Sequence, residues 1–583
     1  MTSGFPEDFD VGRLPEYVSF DIFDTLIVRP FLRPTDLFRY MESIGAVPGG
    51  FAESRIRAEA EVRRRYRREV SLAEIYSVMP DEYQMPDKEI EAEKYACHAD
   101  PESLGAFKKV LESGRKAIII SDMYLPQEVI AEILSNSGIT GYSKLFVSVE
   151  MGATKYDGDL YPLVLSDLGI SADQIAHIGD TKRPDIDMAF ANGIRGIRYV
   201  RMADRYFAEH PYVKEFVSSK DLDRSVIVGM DMFRWSGIIG EKRDDVFELG
   251  FRFGGPMAVA YSDYIIGATE KDSRLLFVAR DGYNLMRVLP ILDPERKDLR
   301  YINAQRILSY VFTDSHIPYG PLELPGKLLN RFVFQKIVSW AKYLLEFFEE
   351  VLGIDGIPED PYELVALYNS RIDQIDSLRR AGAEDYRKYV LSFFGPEDVH
   401  LVDCTTMKFT SQKLIETMAG RKVHGHYFVS LAGSDMDYDS FHIRDRAVFG
   451  WSRINVPEFF MSSPELPVTG WKDGEALFMR DPPKWESDRC AMYGGITDGE
   501  CCYAQQMKEI HRLGIPKMGY EAVTKWSMIS ADRMCPYRPV LDGIRWAAGP
   551  DHSDWSPLIP ELKDIRFLAK RMATDFISKM NEM

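Results

Sequence analysis

The stretch VSFDIFDTLIVRP, residues 18–30, decides how the first part of this chain is read. An apolar run typical of a buried strand stops at Asp21, and Asp24 and Thr25 follow at once. Phe23 stands between the two acids, where chemically similar loops carry another polar group. A strand that ends in carboxylates places them at the carboxyl edge of a sheet, where open parallel sheets bind ligands.

Outward from this strand, AIII (117–120), KLFVSV (144–149), QIAHI (174–178) and GIRYV (196–200) are further short apolar runs, with helical patterns between most of them. Alternating strand and helix predicts a parallel α/β sheet over residues 1–205. The interval 30–112 breaks the alternation. It holds only helical segments, such as ESRIRAEAEVRRRYRREV (53–70), where Glu59 and Arg63, and Glu61 and Arg65, are spaced to pair on one helix face. This predicts a helical insertion after the first strand. Its arginines, Arg63, Arg64, Arg65, Arg67 and Arg68, read as a solvated face paired with its own glutamates. The alternative is that some of them grip an anionic substrate.

Four groups of polar residues fall at or just beyond predicted strand ends: Asp21, Asp24 and Thr25; Ser121; Lys155 in EMGATKYDG; and Asp180 and Asp185 in GDTKRPD. A carboxylate at a strand end can be a nucleophile or a ligand for a hard cation. Acids held close together need a counter-charge, which a divalent ion and Lys155 would supply. A hydroxyl such as Ser121 beside a helix start suits a phosphate oxygen. Taken singly, each of these residues is an ordinary turn, cap or surface residue. His177, within QIAHI, reads as a satisfied core histidine. His424 and His426 in HGH share a strand face but have no acid or third ligand nearby in sequence, so a metal role is the minor reading there.

The ordered set Asp21, Ser121, Lys155, Asp180 and Asp185 resembles the haloacid-dehalogenase (HAD) superfamily. The resemblance covers residues 1–205 and implies a Rossmann-like core with a helical cap in the 30–112 insertion. It further implies that Asp21 is a nucleophile forming an aspartyl intermediate, that Ser121 holds substrate phosphate with Thr25 orienting the loop, and that Lys155 is the stabilising base. Mg²⁺ would be held by Asp21, the Phe23 backbone carbonyl, Asp180 and Asp185. Phosphatases of the superfamily usually carry a second Asp at the position of Phe23, as general acid and base. Asp24 aligns with a residue that is commonly Gly, so the role does not pass to it. Three readings follow from Phe23. The chain is a phosphohydrolase or phosphotransferase favouring good leaving groups or a long-lived intermediate; or a metal-independent dehalogenase, which the GDTKRPD acids weigh against; or a HAD fold kept for binding.

At 583 residues the chain is long enough for two to four domains. The net charge of −18 argues against general nucleic-acid binding. No apolar signal core opens the sequence, and no run approaches the roughly 18 apolar residues of a membrane span, so a cytoplasmic location is expected. Six cysteines make no disulfide scaffold. Cys490, Cys501, Cys502 and Cys535 lack paired zinc spacing, so reduced thiols are the expectation.

A second α/β domain is expected over 206–445. SRLLFVARDG (273–282) and VHLVDCTT (399–406) are strands running into loops, VHGHYFVSL (423–431) is another strand, and a helical insert covers about 325–395. Arg280, Asp281 and Asp403 mark a candidate second site, with Thr405 and Thr406 as donors to an anion; ordinary turn residues are the equal alternative. This domain resembles one that follows predicted bacterial HAD hydrolases linked to surface-polysaccharide synthesis. The resemblance implies a sugar phosphate or other small phosphorylated metabolite as substrate, or a role in assembling that machinery. Residues 446–583, rich in Pro, Gly and Trp, are expected to be irregular and to pack on the second domain.

Overall fold

The apolar run before Asp21 becomes β1 (Tyr17–Phe20), the central strand of a five-stranded sheet. The computed structural model describes residues 2–66, 68–315, 317–325, 331–406, 408–431, 434–444, 455–542, 544–547 and 555–558. The other strands of this sheet are β2 (Lys116–Ser121), β3 (Lys144–Val147), β4 (Ile175–Gly179) and β5 (Arg195–Arg198). All pair in parallel, in the order β3-β2-β1-β4-β5. Both faces of the central strands are covered, which is why β2 reads as unbroken apolar sequence. Phe20 lies level with Ile119 on β2 and Ile178 on β4, so the residues that follow all three strands emerge at one rim. Below the rim, Ile118, Ile120, Phe146, Leu160, Tyr161 and Ile175 pack as one buried cluster.

The insertion leaves and re-enters through an antiparallel pair, Ile27–Val28 with His98–Ala99. Between them lie α1 (Asp36–Ser43), α2 (Phe51–Tyr66), α3 (Leu72–Tyr76) and α4 (Pro86–Ala96). A capping box between Ser71 and Glu74 starts α3, and Pro86 starts α4 at its first position. The following helix, α5 (Pro101–Glu112), is capped by Asp100 and leads straight into β2. The insertion therefore closes at His98 rather than running to 112.

The chain divides into two compact units, and the division differs from a break at 205. The first contains Met1–Asp244 together with Gln505–Lys525, and the second contains Asp245–Ala504 and the described residues from Trp526 onward. His511 is thus buried in the first unit, its ring against Phe31 and Tyr40. Burial pushes His511 down to about 3 and His98 down to about 4. Both values are depressed, so both histidines add stability above the unfolded value near 6.5 and lose it as pH falls below that. Each loses about 1.4 kcal/mol per pH unit. His511→Phe should remove one such term. Urea unfolding at pH 7.5 and pH 5 is then expected to show a smaller acid loss in the variant than in wild type; equal losses would contradict this.

The second unit holds another parallel sheet: β6 (Arg274–Val278), β7 (Leu299–Ile302), β8 (Val399–Thr406), β9 (His424–Leu431) and β10 (Tyr438–Arg444), in the order β10-β9-β8-β6-β7. The expected helical insert appears as Arg331–Leu352, Pro361–Ser370 and Ile372–Leu391. The α/β architecture is thus as expected for both sheets. The C-terminal region is not irregular throughout: Lys484–Ile510 is one helix of 27 residues, and Tyr520–Ile529 is another. Residues 446–454, 543, 548–554 and 559–583, and Arg67, lie outside the described residues. Among the described residues no helix is long and apolar enough to cross a membrane.

Candidate active site

The level ends of β1 and β4 bring Asp21 and Asp180 to the same rim; the helical turn Lys182–Asp187 after β4 delivers Asp185, and the segment after β3 delivers Lys155. The Asp21 backbone N–H donates to the Ile178 carbonyl at 2.8 Å, which anchors the start of the loop. Lys155 Nζ, almost wholly buried, donates to Asp21 Oδ1 at 2.5 Å and to Asp185 Oδ1 at 2.7 Å. Lys155 is itself held by Asp122, whose carboxylate accepts the backbone N–H groups of Lys155 and Tyr156 at 2.7 and 3.0 Å. Thr25 Oγ1 donates to Asp180 Oδ1 at 3.3 Å, and the Thr181 N–H donates to Asp185 Oδ2 at 2.9 Å. The predicted residues Asp21, Thr25, Lys155, Asp180 and Asp185 therefore form one connected group. Ser121 ends β2 at the same rim and is buried, with no hydrogen bond to the group among the described residues.

The charges are unevenly compensated. Burial, with Asp185 and Asp180 close by, pushes Asp21 up to about 8 despite the attraction of Lys155. Burial, then Asp24 and Asp185, pushes Asp180 up to about 6. Burial also works against the charge on Asp185, yet Lys155 and then His177 hold it below the usual carboxylate range. Asp21, Asp180 and Asp185 each offer an oxygen, and these atoms all lie within 4.8 Å of one another. Three hard oxygen donors around one lysine, two of them short of counter-charge, fit a divalent cation of the Mg²⁺ type.

Replacing Lys155 with Ala would leave buried carboxylates facing each other. Breaking a buried pair in this way costs about 3–5 kcal/mol. Urea unfolding of Lys155→Ala is expected to show a loss of that size, partly recovered with added Mg²⁺. A loss below about 1 kcal/mol, the value of an exposed pair, would contradict the arrangement.

The structure gives further residues a part in the site, Arg29 and Glu93 among them. His177 is the buried core histidine expected, but it also supports the site: Ser19 Oγ lies 2.9 Å from its Nδ1, and Asp185 Oδ1 lies 3.2 Å from its Nε2. Phe23 is half-buried, and the Arg29 guanidinium lies 4.3 Å from its ring centre. Arg29 makes paired hydrogen bonds to Glu93 on α4, at 2.9 and 3.0 Å. Arg29 occurs within the opening stretch, but its partner lies far along the chain and no local pattern links them. Asp24 has φ of +60°, in the left-handed region that Gly, Asn and Asp tolerate best.

Two arginines of the basic run at and just beyond the end of α2 are paired within the insertion. Arg63 bonds Glu59 and Glu69, and Arg68 bonds Glu74, while Arg64 and Arg65 are exposed. This matches the solvated-face reading.

In the second unit, chain order reverses between β8 and β6, the switch point where ligands bind in such sheets. Asp281 follows β6, and Asp403 lies on β8. Burial, then the neighbouring Asp281, pushes Asp403 up to about 8, so the two acids are close enough to oppose each other's charge. Arg280 has φ of +74°, and its guanidinium lies 4.0 Å from Glu486. Thr406 is used within its own turn, where its hydroxyl accepts the Phe409 N–H at 2.8 Å. Among the described residues, the groups able to hold a metal include no cysteine.

No protein-family model and no curated protein matches the chain. Solved structures do align. L-2-haloacid dehalogenase from Xanthobacter autotrophicus is 18% identical over 31% of this chain and 76% of that one, with a TM-score of 0.24. A 2-haloacid dehalogenase from Pseudomonas syringae is 18% identical over 31% and 85%, with a TM-score of 0.23. A predicted phosphoglycolate phosphatase from Haemophilus somnus is 15% identical over 32% and 90%, with a TM-score of 0.24. Each is similar to about a third of the chain, and a likeness this slight says nothing of substrate or reaction.

Proposed function

We propose that the first unit is a Mg²⁺-dependent HAD-type phosphohydrolase or phosphotransferase, acting through an aspartyl phosphate on Asp21. The observation that carries this reading is the placement of Lys155 between Asp21 and Asp185, with Asp180 within ligand distance of both acids. Asp21, the Phe23 carbonyl, Asp180 and Asp185 would hold the ion, which when bound adds positive charge beside the phosphate oxygens.

In the first step an Asp21 oxygen forms a bond to phosphorus and the bond to the leaving oxygen breaks. Lys155 orients Asp21 through its 2.5 Å hydrogen bond and offsets negative charge that accumulates at the site. Ser121, at the same rim, would donate to a phosphate oxygen. Phe23 has no proton to give, so the leaving group takes its proton from solvent or departs as an anion. Acyl phosphates and other substrates with good leaving groups are favoured accordingly. In the second step water, or an acceptor hydroxyl, attacks phosphorus and Asp21 is released. No carboxylate sits at position 23 to take the proton of the attacking water or hydroxyl, which passes to solvent instead; this lengthens the life of the intermediate and favours transfer. A small phosphorylated metabolite is the substrate class we infer, and a sugar phosphate fits it best where the leaving oxygen departs readily, as at an anomeric carbon.

The test is a panel of sugar phosphates, nucleotides and acyl phosphates, assayed with and without Mg²⁺, for wild type and Asp21→Asn. Turnover that needs both Asp21 and the ion supports the proposal. Equal and negligible rates would favour a binding or assembly module, and halide release without metal would favour a dehalogenase.

A further inference from the structure

The sequence offers HGH at 424–426 without a third ligand nearby, and the fold of the second sheet supplies what is missing. β9 lies between β8 and β10, and pairing sets the register: His400 is level with His424, and His426 with Asp439. Three histidines and an aspartate from three adjacent parallel strands therefore meet near the amino end of the sheet, the edge away from Asp281.

The rings are spaced as ligands of one ion would be. Their centres lie 5.6 Å apart for His400 and His424, 5.1 Å for His400 and His426, and 4.9 Å for His424 and His426. With metal–nitrogen bonds of about 2.0–2.1 Å, two imidazoles on a tetrahedral ion have ring centres about 5 Å apart. His424, His426 and Asp439 each offer a ligand atom, all within 4.8 Å of one another. His400 Nδ1 is 2.9 Å from His426 Nε2. Two ring nitrogens face each other there, an arrangement that one hydrogen bond satisfies only if one ring donates.

The outer partners favour ligation. His400 Nε2 lies 3.0 Å from Asp398, and His424 Nδ1 lies 2.9 Å from Asp437. A ring N–H donated to each carboxylate leaves the other nitrogen, His400 Nδ1 or His424 Nε2, with its lone pair turned inward. This is the carboxylate–histidine support that metal-ligating histidines generally have. His424 Nε2 is in turn 3.1 Å from Asp439 Oδ2. His426 is fully buried, and its Nδ1 has no hydrogen-bond partner among the described residues.

We propose that His400, His424, His426 and Asp439 bind one divalent transition-metal ion of the zinc class. Three imidazole nitrogens and one carboxylate suit Zn²⁺ and select against Mg²⁺ and Ca²⁺, which take oxygen donors. The ion would cross-link β8, β9 and β10, securing β10, which has a neighbour on one side only. The site is independent of the Asp21 chemistry.

The full chain, stripped with chelator, is dialysed against Zn²⁺ in excess Mg²⁺ and its metal content measured. Wild type should hold one more equivalent of Zn²⁺ than His424→Ala or Asp439→Asn. His424 is partly exposed and Asp439 exposed, and circular dichroism checks that each variant is folded. Asp398→Asn, which removes only the outer support of His400, should bind about 10- to 100-fold more weakly. Co²⁺ in place of Zn²⁺ should give the intense visible bands of a four-coordinate ion in wild type and lose them in His424→Ala. Wild type without Zn²⁺, variants holding as much as wild type, or a six-coordinate Co²⁺ spectrum would each overturn the proposal.

Discussion

Asp21→Asn is expected to lower phosphate release by about 10⁴-fold or more, the scale seen when a nucleophile acting within a catalytic unit is removed. Asn keeps the shape of Asp21 and an oxygen for the Lys155 hydrogen bond, but it cannot carry the phosphoryl group. The loss should therefore fall on the chemical step, with circular dichroism and thermal midpoint close to wild type. Mass spectrometry after quenching in acid should find phosphate on the Asp21 peptide in wild type and none in the variant. A variant that turns over at more than about a tenth of the wild-type rate would remove Asp21 from the reaction.

The second large effect lies at Phe23. Phe23→Asp places a carboxylate where the chain has none, and general acid–base help is worth about 10²- to 10⁴-fold. The environment decides which half of the reaction gains. The Arg29 guanidinium, 4.3 Å from the Phe23 ring and fixed by Glu93, would keep a new carboxylate ionised. An ionised carboxylate accepts a proton from water but has none to give a leaving group. Breakdown of the aspartyl phosphate should speed up by about 10²-fold, while its formation changes little. In pre-steady-state kinetics, wild type should show a burst followed by slow turnover, and Phe23→Asp should lose the burst. An unchanged burst and steady state would mean that position 23 does not limit the reaction. Glu93→Gln in the Phe23→Asp background would loosen Arg29 and serve as a check on its part.

The two compact units are read with unequal ease from the sequence, and particular residues show why. Asp21, Asp180 and Ser121 end or directly follow β-branched or aromatic runs, so local pattern alone places them at a sheet edge. Asp185 and Lys155 lie a few residues further on, where only their order along the chain marks them. The helix Lys484–Ile510 is hidden from local pattern for a tertiary reason. Its Gly495 and Gly499 read as loop signals, yet they let two backbones approach: a side chain on Gly499 would lie 2.3 Å from the Phe247 carbonyl oxygen. The return of 505–525 to the first unit, with His511 against Phe31 and Tyr40, has no local signature at all.

From its own residues the chain determines the parallel α/β plan, the insertion after the first strand, and the types of group at the rim. All of these follow from periodicity, apolar runs and punctuation within short windows. Strand order and register, which only the tertiary structure decides, turn those groups into neighbours. They set Lys155 between two acids, Arg29 over Phe23, and His400 and Asp439 beside the HGH pair. The physical reason is the range of the forces involved. Backbone preference and hydrophobic pattern act over a few residues, whereas ion pairs and ligand sets join positions brought together only by the pairing of β-strands.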